Sequence, residues 1–239
     1  MRRIARITRQ LLAQMGLNFC ALCKTPCTNI LCLDCHTGLN PLGLSCYRCA
    51  LPLEVEDSLC AECVQHPPDY ERSTCAYALN SENSKLIHAF KDQAALHFGQ
   101  ILSEGLIKTI ENQYSYTRDT LPELLCPVPS HWRKHLLRGF NQADYISQEL
   151  GKHFNIPTQS LIRKTSHQPA QKDLSRQARI KAMSHSFETK NTEQIQGHIA
   201  IVDDVVTTGS TARAVASTLC NHGATRVDIW ALARTPKPR

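Results

Sequence analysis

From residue 74 onward, short apolar runs alternate along the chain with stretches of helical spacing. In the helical stretches apolar side chains recur three or four residues apart, as at Phe98, Leu102 and Leu106, which is the spacing of one buried helix face. The pattern predicts strands at 74–79, 124–128, 161–164, 198–203 and 226–233, and helices at 84–90, 94–110, 142–154 and 211–220. Because strands and helices alternate, we predict an α/β fold with a mostly parallel sheet flanked by helices.

Turn and cap residues divide the chain further. Asn141 is placed to cap the helix at 142–154, and Gly223 is placed just after the last helix. Pro67 and Pro68 remove two backbone donors and fix φ, so they predict a break in regular structure. We therefore expect a basic amphipathic helix at 1–19, a cysteine-rich module at 20–66, a linker at 67–73 and an α/β domain at 74–239.

Residues 199–211 (IAIVDDVVTTGST) join an apolar strand, two acids, a hydroxyl-rich loop and a helix, in that order. The first amides of a helix lack internal partners and lie at its positive end, so they suit a phosphate. Asp203 and Asp204 are suited instead to accept hydrogen bonds from ribose hydroxyls. The segment predicts a ribose 5-phosphate site in which the phosphate lies on Thr207, Thr208, Gly209, Ser210 and Thr211. The alternative is a solvated acidic turn followed by an ordinary helix cap.

This segment resembles the signature of the type I phosphoribosyltransferases. Further motifs are similar to those of the ComF family, which is associated with DNA uptake in natural competence: 87–91 (IHAFK), 126–130 (CPVPS), 138–142 (RGFNQ), 174–176 (LSR) and the cysteine-rich amino end. The resemblance implies a type I phosphoribosyltransferase-like fold with a small amino-terminal zinc-ribbon module. It also implies binding of phosphoribosyl pyrophosphate with Mg²⁺, by residues that include Val205 and Val206, and a flexible loop at 164–181 that closes over the ribosyl group.

The segment after the strand at 124–128 is expected to face the acids, because ligands bind at the carboxyl ends of parallel strands. Ser130, Arg133 and Arg138 are then candidate donors to the pyrophosphate. The alternative for the two arginines is a solvated basic surface.

Eight of the 12 cysteines form four Cys-x-x-Cys pairs, which is a strong zinc signal. We predict that they hold structural Zn²⁺: Cys20, Cys23, Cys32, Cys35, Cys46, Cys49, Cys60 and Cys63. Spacing does not decide between joining neighbouring pairs and a cross-braced arrangement, nor between one ion and two. A disulfide framework is the competing interpretation, although we expect a cytoplasmic, reducing location because no secretory signal is evident.

The net charge of +6 counts every cysteine as neutral, so it is weak support for a nucleic-acid partner once thiolates are considered. Trp132 stands among cations at 131–138 and could stack on a base of single-stranded DNA. Two hypotheses follow: a phosphoribosyltransferase whose acceptor is unknown, or a non-catalytic phosphoribosyl-binding adaptor that works on single-stranded DNA beside a competence helicase. No apolar run is long enough to cross a membrane.

Overall fold

The computed structural model describes residues 18–55, 59–92, 95–130, 139–165, 186–190 and 195–237, with the side chains of Asn18 and Asp92 outside the description. The expected helix at 1–19 therefore lies almost wholly outside the described residues. The cysteine-rich part contains two short strands and two short helices: β1 (Asn18–Phe19), β2 (Pro26–Cys27), α1 (Leu33–Thr37) and α2 (Ala61–Gln65).

The second part is built on a parallel four-stranded sheet, as the pattern predicted. Its strands are β3 (Arg72–Ala78), β4 (Leu124–Pro127), β7 (His198–Val206) and β8 (Arg226–Arg234), in the order β3-β8-β7-β4. Its helices are α3 (Ser81–Asp92), α4 (Leu96–Thr117), α5 (Gln142–Phe154) and α6 (Ser210–Asn221).

Side chains alternate between two cores on the faces of the sheet. Ala200 and Val202 of β7 belong to the core that contains Leu102, Leu106 and Leu150 of α4 and α5. Ile199 and Ile201 belong to the core that contains Val215 and Leu219 of α6. Both faces of β7 are therefore covered, which explains its unbroken apolar run.

Several predicted boundaries move because of local hydrogen bonds. Helix α3 begins at Ser81 rather than 84, since Asn80 and Asn83 each accept the other's backbone N–H at 2.9 Å. Helix α4 continues to Thr117 rather than 110, and its buried Tyr114 packs edge-on against Trp230. The predicted cap of α5 is confirmed, because the Asn141 side chain accepts a hydrogen bond from the Ala143 amide.

The strand predicted at 161–164 forms but does not join the main sheet. It is β5 (Ile162–Lys164), which pairs antiparallel with β6 (Phe187–Thr189). The place beside β4 is taken by the preceding loop: Leu125 donates to Pro157 O and accepts from Gln159 N, both at 2.9 Å. The expected loop at 164–181 lies mostly in 166–185, outside the described residues, and is bracketed by this two-stranded ladder.

The cysteine-rich part packs directly on the sheet. Leu42 N donates to Ala76 O at 2.9 Å, and Ala78 N donates to Asn40 O at 3.1 Å. The segment thereby covers the outer edge of β3, which would otherwise present unpaired backbone groups. Cys20, Leu31 and Leu39 are buried in the same core as Tyr77. The linker expected at 67–73 stays a prediction, and the structure places a buried residue, Tyr70, within it.

Among the described helices, none combines the length and the apolar character that a bilayer span requires.

Candidate ligand site and metal centres

The two acids lie at the carboxyl end of β7, between β8 and β4. Asp203 stands opposite Ala231 of β8, and Val202 stands opposite Pro127 of β4. The strand continues through both acids to Val206, beyond the predicted end at 203. Their carboxylates accept from neighbouring backbone amides: Asp203 Oδ1 from Asp204 N at 2.8 Å, and Asp204 Oδ1 from Val205 N at 2.6 Å. The backbone thus fixes both side chains at the carboxyl end of the strand, which is where ligands bind in open parallel sheets.

The environments of the two carboxylates differ. Burial and the adjacent Asp204 carboxylate raise the pKa of Asp203 to about 8. Asp204 instead forms an ion pair with Lys91, whose Nζ lies 2.6 Å from Asp204 Oδ2. Both partners are mostly buried, with 23% and 16% of their side chains exposed. The site therefore combines one carboxyl that favours its proton with one carboxylate that is already paired to a cation.

Lys91 was not among the residues predicted for the site. It comes one residue after Phe90, which is fully buried and has its ring 5.5 Å from the rings of both Phe140 and Tyr145. Gln142 also donates from Nε2 to Lys91 O at 3.3 Å. These contacts hold the end of α3 beside β7. The signal in the sequence was the motif at 87–91, but its spacing alone does not connect it with the acids.

The loop at 207–211 leads from β7 into α6. Thr207 and Thr208 are exposed, while Ser210 and Thr211 are half-buried in the first turn of the helix. Thr208 Oγ1 and Ser210 Oγ lie 2.8 Å apart and share a hydrogen bond. Gly209 is the residue before the helix and has a φ of 77°, in the left-handed region that favours glycine. The loop therefore presents hydroxyls together with the first amides of a 12-residue helix, of which the Ser210 amide donates to Thr208 Oγ1 at 3.4 Å.

Beneath this loop lies Arg234, a second residue that the sequence did not single out. Its Nη1 donates to the carbonyl oxygens of Val206, Thr207 and Thr235, at 3.0 Å to Val206 and 2.9 Å to Thr235. Val206 is 4% exposed and part of the core, so any ligand contact there would have to use its backbone. Val205 is half-buried beside the acids.

The remaining predicted site residues are only partly described. Ser130 follows β4, and the pairing of the Val128 amide with Val202 O at 2.9 Å brings this strand end alongside the acids. Arg133 and Arg138, like Trp132, lie in 131–138, outside the described residues. Their contact with a ligand stays a prediction.

The eight cysteines of the four pairs form two groups. One consists of Cys20, Cys23, Cys32 and Cys35, and the other of Cys46, Cys49, Cys60 and Cys63. The structure therefore joins neighbouring pairs and not a cross-braced set. All 12 cysteines lie within the described residues and are free thiols, so the disulfide framework is not formed.

Each group has the size of a tetrahedral zinc site. Within a group, every sulfur lies within 4.8 Å of the others. The Cys23–Cys32 and Cys49–Cys60 sulfur pairs are 3.6 Å apart, near the roughly 3.8 Å edge expected for Zn–S bonds of about 2.3 Å. Burial, together with the neighbouring Cys46 thiolate, raises the pKa of Cys49 to about 11. A dication at the centre would offset that penalty, so both groups fit structural zinc.

The other cysteines take no part in these groups. Cys27 donates to the nearby Asn29 O at 3.0 Å. Cys75 and Cys126 are buried as predicted, whereas Cys220 is half-buried and donates to Asp69 O at 3.3 Å.

Comparison with known proteins agrees with this architecture. The family described as the phosphoribosyl transferase domain matches residues 136–239. The DNA utilization protein YhgH of Escherichia coli (strain K12) is 31% identical over 221 residues, which cover 90% of this chain and 96% of that protein. Competence protein F of Haemophilus influenzae is 28% identical, with 86% and 91% of the two chains covered. Competence protein ComFC of Bacillus subtilis is 24% identical, with 85% and 84% covered. The chain thus belongs to the ComF family, with a type I phosphoribosyltransferase fold that follows a module of two four-cysteine groups.

Proposed function

We propose that this protein binds phosphoribosyl pyrophosphate at the carboxyl end of β7. The ribose hydroxyls donate to Asp203 and Asp204, and the 5′-phosphate accepts from the amides and hydroxyls of residues 207–211. The observation that carries the proposal is that two acids lie at the end of one central strand and the N-terminus of a helix follows them after a short loop. A sugar phosphate is the ligand that uses both features at once.

The chain's own residues can perform three tasks in a transfer reaction. The acids orient the ribose, the loop holds its 5′-phosphate, and Lys91 supplies a cation close to the departing pyrophosphate. A Mg²⁺ ion bound with the substrate would neutralise charge on the leaving group. Such an ion would need few protein ligands, because Mg²⁺ keeps several waters and binds through one or two carboxylates and the substrate phosphates. The loop at 164–181 would close the site against water, as the family resemblance implies.

Lys91 also explains how the fold tolerates two adjacent acids. Two neighbouring carboxylates repel each other in a buried site, and the Lys91 ammonium compensates Asp204 at 2.6 Å. When ribose hydroxyls bind Asp204 in place of Lys91, the Lys91 ammonium is released towards the pyrophosphate. We therefore assign Lys91 to the phosphoribosyl pyrophosphate site together with the acids.

Calorimetric titration with phosphoribosyl pyrophosphate and Mg²⁺ tests the proposal. The Asp203→Asn/Asp204→Asn double variant should lose binding by about 30-fold or more, because loss of the charged acceptor Asp204 costs about 1.5–3 kcal/mol and loss of the neutral acceptor Asp203 about 0.5–1.5 kcal/mol. The matched control is Glu111→Gln/Glu149→Gln, two carboxylates on the helices α4 and α5. Undiminished affinity in the first variant would exclude the site.

Transfer itself requires an acceptor, and we propose a phosphoribosyltransferase activity with an acceptor still to be identified. Pyrophosphate release should increase when the correct base or nucleoside is added to the protein with phosphoribosyl pyrophosphate. Binding without release in the presence of any acceptor screened would favour a sensor or adaptor role for the same pocket.

The names of the relatives favour a second candidate function. DNA utilization or competence stands in the names of three relatives that match most of this chain. We propose as the alternative that this protein is a cytoplasmic adaptor which binds single-stranded DNA beside a competence helicase. Fluorescence anisotropy with a labelled single strand should show binding that weakens steeply with salt. At a fixed salt concentration, Trp132→Ala should bind the single strand more weakly than wild type if the ring stacks on a base.

A further inference from the structure

The second cysteine group lies against the loop at 207–211. The link is Arg234, a buried residue that is 5% exposed. Its Nε donates to Cys49 O at 2.9 Å, while its Nη1 donates to the carbonyls of Val206, Thr207 and Thr235. One guanidinium therefore connects the backbone of Cys49, in the second cysteine group, with the backbone at the start of the loop at 207–211.

The charge of this arginine needs compensation that its hydrogen-bond acceptors do not provide. Carbonyl oxygens are neutral, and an isolated buried cation is strongly unfavourable. Four thiolates around one Zn²⁺ carry a net negative charge. The second cysteine group, reached through Cys49, is thus suited to act as the counter-ion of Arg234 when its metal is bound.

Other contacts join the segment after the same group to the same region. Arg213, in the first turn of α6, donates from Nη1 to His66 O at 2.8 Å. A Cβ at Gly209 would have Tyr70 Oη as a neighbour at 3.9 Å. The first cysteine group is placed differently, because its Cys20 is buried in the core with Tyr77 of β3.

From this arrangement we propose that Arg234 is a positioning residue that couples metal occupancy of the second cysteine group to the shape of the loop at 207–211. The proposal rests on phosphoribosyl pyrophosphate binding at that loop. Metal bound by the second group tightens phosphoribosyl pyrophosphate binding, and phosphoribosyl pyrophosphate in turn retains the metal, because coupling between two sites is reciprocal. Metal in the first group has no such effect.

Arg234→Lys tests the link, since lysine keeps the charge but lacks the planar fork that reaches Cys49 O and the loop carbonyls together. The matched control is Arg226→Lys, the same change at the opposite end of β8, where the guanidinium pairs with Asp119 and Asp228. We expect phosphoribosyl pyrophosphate affinity to fall about tenfold in Arg234→Lys and to stay unchanged in Arg226→Lys. Equal affinity of Arg234→Lys and wild type would overturn the proposal.

A pair of cysteine variants tests the metal side, with zinc content measured for each. Cys63→Ser in the second group should weaken phosphoribosyl pyrophosphate binding, whereas Cys32→Ser in the first group should not. The reciprocal effect is measured as zinc release to 4-(2-pyridylazo)resorcinol in the Cys32→Ser background. Phosphoribosyl pyrophosphate with Mg²⁺ should slow that release, and Arg234→Lys should abolish the slowing. A purely structural arginine would leave the slowing intact.

The two proposals fail in different ways. If wild type does not bind phosphoribosyl pyrophosphate, the proposed function is wrong. The coupling is then decided by hydrogen exchange alone: the amides of residues 205–211 should exchange faster in Cys63→Ser than in Cys32→Ser. If wild type binds but neither Arg234→Lys nor Cys63→Ser changes affinity, only the coupling is wrong.

Discussion

At the scale of single residues, the site contains two adjacent carboxyl groups that differ in their partners and in their pKa. Asp204 is held as an ion pair by Lys91 at 2.6 Å. Among the described residues Asp203 has no ion-pair partner at that distance, and burial with the neighbouring negative charge raises its pKa to about 8. Such perturbed carboxyl groups are characteristic of functional sites.

The raised pKa predicts a pH dependence of stability. An unfolded aspartate titrates near pH 4, so the folded protein holds the Asp203 proton more tightly and loses stability as the pH rises from about 4 through 8. Asp203→Asn should therefore gain at least about 1 kcal/mol in unfolding free energy relative to wild type between pH 5 and 8. Urea unfolding at both pH values measures this. Glu188→Gln, on the surface strand β6, is the control, and parallel pH profiles for Asp203→Asn and wild type would contradict the prediction.

A second group of charges lies at the opposite end of the sheet. Asp228 is 1% exposed and lies 3.0 Å from His198 Nε2 and 3.2 Å from Arg226 Nη2, and it accepts from Tyr114 Oη at 2.9 Å. The fully buried Arg72 pairs with Asp119 at 3.2 Å. This network joins the starts of β3, β7 and β8, far from the loop at 207–211 along the strands.

Asp228→Asn should destabilise the protein without affecting ligand binding. It leaves Arg72 and Arg226 to share the one carboxylate of Asp119, and breaking a buried ion pair costs about 3–5 kcal/mol. Guanidinium unfolding measures the loss, and calorimetry at a temperature where the variant is folded should give the wild-type affinity for phosphoribosyl pyrophosphate. A loss of affinity without a loss of stability would assign the network to the site instead.

At the scale of elements, the geometry of one turn determines what the helix α6 can bind. The chain leaves β7, passes through Gly209 at a φ of 77° and enters the helix at Ser210, whose amide donates to Thr208 Oγ1 at 3.4 Å. The Gly209 carbonyl then accepts from Arg213 N at 2.9 Å. A residue with a Cβ would resist this conformation even though there is space for it.

Gly209→Ala should therefore cost about 1–2 kcal/mol of backbone strain and weaken phosphoribosyl pyrophosphate binding. The nearest neighbour of the added Cβ is 3.9 Å away, so a steric clash contributes little. Gly43→Ala is the control, because a Cβ there meets nothing within 4 Å and the backbone is not left-handed. Thermal unfolding and calorimetry measure both effects, and unchanged values in Gly209→Ala would show that the loop tolerates another conformation.

At the scale of the whole molecule, the cysteine-rich part is an integral layer of the fold. It covers the edge of β3 through Asn40 and Leu42. It also contributes Cys20 and Leu39 to the core shared with α4 and α5. Residues 20–63 contain few large apolar side chains of their own, so metal binding should supply much of their stability.

Removal of zinc should unfold residues 20–63 and expose the edge of β3, while the centre of the sheet stays folded. Hydrogen exchange should then increase throughout 20–63 and at Ala78, whose amide donates to Asn40 O, and remain slow in β7 and β8. Adding zinc back should restore protection. Exchange in 20–63 that is unaffected by a strong chelator would show that the module is stable without metal.

The sequence by itself determined the features that depend on neighbouring residues. The order of strand, acids, loop and helix in 199–211 is local, and so are the Cys-x-x-Cys knuckles and the Asn141 cap. Hydrophobic periodicity placed the main strands for the same reason.

Only the tertiary structure decided which distant segments meet. It joined neighbouring cysteine pairs, brought Lys91 to Asp204 and placed Cys49 against Arg234, 185 residues later in the chain. These contacts arise from packing at the edges and ends of the sheet. Phe90 packs the end of α3 against its neighbours, and the backbone of Cys49 covers the buried Arg234. No local pattern encodes them, because their energy comes from burial and charge compensation between segments that are remote in sequence.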